Sequence, residues 1–145
     1  MGAQLGIPEW LAATLFVTIA LAGWLGLAFL MRRRGMRRLA ASRPSPSREE
    51  FIDLLAGQVD GDTATWLWEQ ASPYYVNAIS PHPDDDLGKD AMIDDGDWSV
   101  DWPSEFAKAR RFDEDDYPDW PVEWPATLRN FGRWLDMGRK VSAQS

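Results

Sequence analysis

The sequence predicts an all-α protein: one transmembrane helix followed by a small helical bundle with long ordered loops. Three observations predict it. Trp10 to Met31 is an uncharged run of 22 residues. Leu128, Phe131, Trp134 and Leu135 recur at helical spacing. No segment alternates apolar and polar residues, as a half-buried strand does, for more than four positions.

The first helix follows from length and flanks. At 1.5 Å per residue, the run WLAATLFVTIALAGWLGLAFLM spans roughly 33 Å, the thickness of a bilayer's hydrocarbon core. Arg32, Arg33, Arg34, Arg37 and Arg38 follow it, whereas the other end offers only Glu9. Arginine flanks stay on the cytoplasmic side, so residues 1–9 are expected outside and residues 32–145 inside. The expected location is a bacterial inner (cytoplasmic) membrane. A cleaved signal peptide would carry its positive charges before a shorter apolar run, the reverse of this order. Trp10 sits at the outer interface, and Ala22 and Gly26 form a small-xxx-small pair that lets helices approach. The five arginines are expected to grip anionic lipid head groups at about 1 kcal/mol each. Residues 32–46 read as a basic juxtamembrane segment and linker, its Arg43-Pro44-Ser45-Pro46-Ser47 end a stiff polar connector.

Residues 47–145 read as one small acidic domain. The chain has no cysteine, which excludes disulfides, thiolate nucleophiles and cysteine-ligated zinc. From residue 46 onward 22 acids face 9 bases, a net of −13. Phosphate binding needs a basic face, so nucleic acid is not an expected partner. Seven of the nine tryptophans lie in this domain, which argues for a folded core over an acidic disordered tail.

Ser47-Arg48-Glu49-Glu50 is a capping box, followed by an apolar face of Phe51, Leu54 and Leu55 and a stop at Gly57. A second helix is expected after Asp62 as N-cap, with Leu67, Ala71, Tyr74 and Tyr75 on one side, until Pro73 ends it. Residues 80–101 lack periodicity and read as a long ordered loop. A third helix is expected from Trp102-Pro103, capped by Asp101, to near Arg111. After a second loop through Asp119, Pro125 is expected to open the last helix.

Asp86-Leu87-Gly88-Lys89-Asp90-Ala91-Met92 resembles the Asp-Leu-Gly-x-Asp-Ser-Leu signature of acyl carrier proteins. Glu105-Phe106 and Thr127-Leu128 continue the resemblance, which covers roughly residues 62–136 and implies the carrier order of helices and loops. In carriers the serine of that signature bears the phosphopantetheine arm. Ala91 stands there, so no arm is expected.

The aspartates from Asp84 to Asp97 do not fit an EF-hand frame in any register and read as a solvated acidic loop. The single histidine, His82, lies between two prolines and is expected to face solvent. No phosphate loop, G-x-S-x-G or H-E-x-x-H motif occurs, so no catalysis, cofactor or metal is expected. What remains is a partner surface built from Trp98, Trp102, Trp120 and Trp124 with Asp113, Glu114, Asp115 and Asp116. Tryptophan is enriched at binding hot spots, and carboxylates steer basic partners. The expected function is a membrane-anchored, non-catalytic accessory subunit or adaptor that holds a basic protein partner. An immunity-type protein that neutralises a basic toxin domain is the alternative.

Overall fold

The computed structural model describes residues 8–76 and 79–144. The regular elements among the described residues are helices, and the one β-type pairing there is an isolated bridge between Asp86 and Thr127. Among the described residues five α-helices occur: α1 Glu9–Ser42, α2 Arg48–Leu55, α3 Gly61–Ala71, α4 Trp102–Arg110 and α5 Leu128–Ser142. The chain divides into two compact units, Met1–Gly35 and Met36–Ser145.

In the first unit, α1 is long and apolar enough to cross a membrane. Its large apolar side chains are exposed, among them Trp10, Phe16 and Trp24. The threonine hydroxyls in the run are satisfied internally. The Thr14 hydroxyl donates to the Trp10 carbonyl at 2.7 Å, and Thr18 to Thr14 at 2.8 Å. A spanning helix needs this, since hydrocarbon offers no partner to a bare hydroxyl or backbone group. The helix does not stop at Met31 but runs through all five arginines.

The second unit begins upstream of the expected start at Ser47. Met36 is fully buried and Leu39 packs against the same core, so the last turns of α1 belong to the domain. The expected polar connector is likewise docked. Pro46 is buried, its carbonyl accepts from the Ser80 hydroxyl at 2.5 Å, and Arg43 pairs with Asp85.

The capping box forms as expected. The Glu50 amide donates to Ser47 Oγ at 3.2 Å and the Ser47 amide to Glu50 Oε2 at 2.7 Å. Gly57 follows α2 in the left-handed region at φ 79°, where a side chain would be strained. The expected cap of α3 at Asp62 is corrected: the N-cap is Asp60, which makes no side-chain cap bond. Asp136 from α5 does that work. It accepts from the Asp60 amide at 2.7 Å and from the Thr63 hydroxyl at 2.6 Å, satisfying donors at the start of α3. Pro73 ends α3 at Ala71, where a 3₁₀ turn, Ser72–Tyr74, takes over.

The long loop ends earlier than expected. Helical backbone begins at Asp95 and passes through a π-helical turn, Asp97–Asp101, into α4, so Asp101 lies inside the helical path and caps nothing. The wider turn accommodates Pro103, which has no N–H to give. Arg111 closes α4 in the left-handed region at φ 61°. The last helix begins at Leu128 with Thr127 as N-cap, not at Pro125. Its first amides are capped from the acidic loop: Leu128 donates to the Asp85 carbonyl at 3.2 Å and Arg129 to the Pro83 carbonyl at 2.7 Å.

Leu128, Phe131 and Leu135 are fully buried with Leu67, Leu87 and Phe106 at the centre of the core. At Gly132 an added Cβ would lie 2.6 Å from Leu67 Cδ1, so glycine there lets α3 and α5 approach closely.

Candidate functional site

The expected partner tryptophans fall into three groups. Trp102 is corrected to a core residue. It is 4% exposed and packs edge-on to Trp66 at 6.1 Å and against Phe131 at 5.9 Å. Trp124 is half-buried, and its ring is covered by the Arg133 guanidinium, 4.1 Å from the ring centroid. Trp98 and Trp120 are half-buried and lie together, with ring centroids 6.1 Å apart at 64°.

Trp98 and Trp120 form a cleft with Ser99, Phe131 and Trp134. Its volume is 170 Å³. The π-turn brings Trp98 and Ser99 from one side, the segment after α4 brings Trp120, and α5 supplies Phe131 as floor and Trp134 as a wall. Each indole is fixed by its N–H. Trp98 donates to Asp95 Oδ1 at 3.1 Å, Trp120 to the Trp124 carbonyl at 3.2 Å and Trp134 to the Pro118 carbonyl at 2.8 Å. With these donors used, what the cleft presents is aromatic surface. Two larger depressions, of 420 Å³ beside Pro44 and Leu54 and of 390 Å³ beside Val59 and Lys140, have no aromatic lining.

As part of the α5 stripe, Trp134 is expected to face the core. It is half-buried because Tyr117 lies flat on it, with centroids 4.4 Å apart and 14° between planes, while its other edge reaches the cleft. Its place at the margin of the α5 stripe was the only sequence signal for this. Tyr117 in turn donates to the Pro103 carbonyl at 3.0 Å, and burial, helped by the Glu114 charge, raises its phenol above the ordinary value.

Asp113, Glu114, Asp115 and Asp116 lie at the surface on a short 3₁₀ turn, Glu114–Asp116. Asp113 Oδ1 accepts from the Asp115 amide at 3.1 Å, and Glu114 accepts from the Ser104 hydroxyl at 2.6 Å. Asp115 is exposed and Asp116 half-buried.

In the run Asp84-Asp85-Asp86, expected as a solvated loop, Asp84 is exposed but Asp85 is corrected to a buried residue. The Asp85 side chain is 2% exposed and accepts four bonds. Arg43 donates twice at 2.6 Å, the Tyr75 hydroxyl donates at 2.6 Å, and the His82 amide donates at 3.0 Å. Burial first and the Asp85 charge next raise the Tyr75 phenol above its usual value. Asp84 pairs with Arg129 at 2.7 Å, and that bond holds its carboxyl below the usual range. Asp86 Oδ1 accepts from the Gly88 and Lys89 amides at 3.0 and 2.8 Å.

His82 does not face solvent. Its side chain is 17% exposed, and Nδ1 accepts from the Asp84 amide at 3.2 Å. Burial, then the Arg43 charge, lowers its pKa below 6.5. Ala91 is fully buried. Asp136 has its carboxyl raised by burial, against the lowering hydrogen bond from Thr63. Among the described residues no group of three or more histidines, aspartates or glutamates could hold a metal ion.

The five arginines remain on α1, with Arg33, Arg34, Arg37 and Arg38 exposed and Arg32 partly covered. No family model, curated protein or solved structure matches this chain, so its functional reading rests on the geometry above.

Proposed function

We propose that this chain is a single-pass anchor for a non-catalytic acidic domain that holds a basic protein partner at the inner membrane, as an accessory subunit or adaptor. One observation carries the reading: the charge on the chain is segregated. Five arginines follow the apolar run at one end, and a net of −13 follows from residue 46. The first pattern suits an N-out, C-in helix with Arg32, Arg33, Arg34, Arg37 and Arg38 among lipid head groups. The second suits a partner of opposite sign, drawn in by long-range attraction. The aromatic cleft adds a place for such a partner to seat. Ala91 supports a domain without a prosthetic arm, since it has neither a hydroxyl nor exposure.

Extraction of the tagged full chain in mild detergent, at low and at high salt, tests the reading. The expected result is a stoichiometric basic protein whose association slows as salt rises. A chain that purifies alone, or association indifferent to salt, overturns it. A cytoplasm-only reporter fused after Ser145 is expected to be active.

A further inference from the structure

Resting on the reading that the domain meets a basic protein surface, we propose that the cleft between Trp98, Trp120 and Trp134 is the arginine-reading site of that surface. It would receive the guanidinium of one arginine side chain of a protein partner.

The shape suits one side chain. The cleft has a volume of 170 Å³ and is walled by three indoles over Phe131. Trp98 stands at 88° to Phe131, whereas Trp120 and Trp134 lie within 29° and 28° of its plane. Ring systems at such different angles let a flat cation stack on the face of one while its N–H edge points at the face of another. Aromatic faces carry negative potential and attract cations, tryptophan most strongly.

The two loops that wall the cleft carry charge of one sign, and the base beside it, Arg133 of α5, is already stacked on Trp124. Segments 94–101 and 113–123, which supply Trp98 and Trp120, carry ten carboxylates and no basic residue. An apolar cleft meant for a leucine gains nothing from such a rim. A cation gains twice, from attraction during approach and from the rings once seated.

The choice of arginine over lysine comes from the same surface. Arg133 already lies over Trp124 at 4.1 Å, and Trp124 is edge-on to Trp120, with centroids 6.2 Å apart. The domain thus stacks one guanidinium on the indole next to the cleft. A guanidinium is planar and weakly hydrated, so it gives up water to an aromatic wall more easily than an ammonium does.

The test uses the full chain in detergent and a host peptide of glycine, serine and flanking lysines. Its central residue is arginine, citrulline, lysine or leucine. Citrulline keeps the shape of arginine and removes its charge. Arginine is expected to bind about tenfold tighter than citrulline, and also tighter than lysine and leucine. Indole N–H resonances of Trp98, Trp120 and Trp134 should shift, while those of Trp66 and Trp102, which do not line the cleft, stay. Trp98→Leu should erase the preference for arginine in a domain that still folds. Equal binding of arginine and citrulline, a tighter leucine or lysine peptide, or shifts confined to other indoles overturns the proposal. If the series is flat but all lysine-flanked peptides still bind in a salt-dependent way, the cleft assignment falls and the basic-partner reading stands. If none of the peptides binds even at low salt, both fall.

Discussion

Asp84-Asp85-Asp86 and Asp113-Glu114-Asp115-Asp116 are both runs of consecutive carboxylates in proline-punctuated loops, and they are placed differently. The first turns inward. Asp85 is buried against Arg43, Tyr75 and the His82 amide, and the carbonyls beside it cap α5. The second stays at the surface and is held by the ring of Tyr117. The difference lies in the donors each run meets. A buried carboxylate is tolerated only where donors replace water, and Asp85 has four donated bonds to do so. The second run meets one hydroxyl and a local amide, so its charges remain solvated and available to a partner.

The largest effect should come from breaking the inward pair. Asp85→Ala leaves the Arg43 guanidinium, with its side chain 11% exposed, without its carboxylate. Removing one partner of a buried pair typically costs about 3–5 kcal/mol. The domain is therefore expected to unfold at much lower denaturant, whereas Asp115→Ala should leave the midpoint within a few tenths of a molar. The double variant Arg43→Met with Asp85→Leu sharpens the point. If it recovers most of the loss, the pair specifies how the 43–46 segment docks more than it stabilises the domain. An Asp85→Ala variant as stable as the parent would show that the loop is solvated after all.

The outward run depends on packing, and the next prediction attacks that. A Cβ at Gly138 would lie 2.5 Å from Tyr117 Cδ1 and 2.8 Å from Cε1. The ring has little room to yield, because Trp134 lies against its face and its hydroxyl is bonded to the Pro103 carbonyl. Gly→Ala inside a helix ordinarily gains up to ~1 kcal/mol. Overpacking costs about 1–3 kcal/mol, so Gly138→Ala should be net destabilising by about 1–2 kcal/mol. Gly61→Ala, at a position with open space, is the control and should be neutral or better. Tyr117→Leu should relieve Gly138→Ala. Chemical denaturation of all four variants reads this out. A stabilised Gly138→Ala would mean that Tyr117 is free to move and the outward loop is not anchored there.

These contrasts show what the sequence made legible. The capping box at Ser47 and the α5 stripe were readable because both are local patterns within a few residues. The membrane-length helix was readable for the same reason, but its end was not. Met36 and Leu39 look like part of an arginine-rich flank until a core forms around them. Asp85 was misread because its main donor, Arg43, is 42 residues away, and nothing in a run of three aspartates marks the middle one. The cap of α3 was misplaced at Asp62 because the carboxylate that completes it, Asp136, comes from another helix. Trp98 and Trp120 were picked out as surface aromatics by their Asp and Pro neighbours. Trp102 has the same neighbours and is core, since the π-turn rotates it inward.

The smallest effect is a pH slope, and its sign follows from His82. Burial and the Arg43 charge depress its folded pKa below 6.5. A base with a depressed pKa binds its proton more weakly when folded than when unfolded. Its contribution is therefore complete above the unfolded value of 6.5 and is lost as pH falls through the folded value. The geometry agrees, because Nδ1 accepts from the Asp84 amide and a protonated Nδ1 could not. Stability is expected to drop between pH 7 and pH 5.5. Two other groups carry pH-dependent contributions of their own. Asp84, depressed by Arg129, contributes stability that is lost only as pH falls through a value below 3.8. Asp136, raised by burial, has the opposite sign and contributes stability that fades as pH rises from 3.8 through its folded value. His82→Asn keeps an acceptor for the Asp84 amide and cannot titrate, so it should flatten the slope between pH 7 and 5.5 with little change at pH 7. Replacing Asp113, Glu114, Asp115 and Asp116 by amides should shift stability by under ~0.5 kcal/mol, as surface substitutions do, and leave the slope intact. Melting temperatures of the two variants across this range separate the inward loop from the outward one. A slope that survives His82→Asn but vanishes with the amides would reverse the assignment, placing the titrating group in the run that faces solvent.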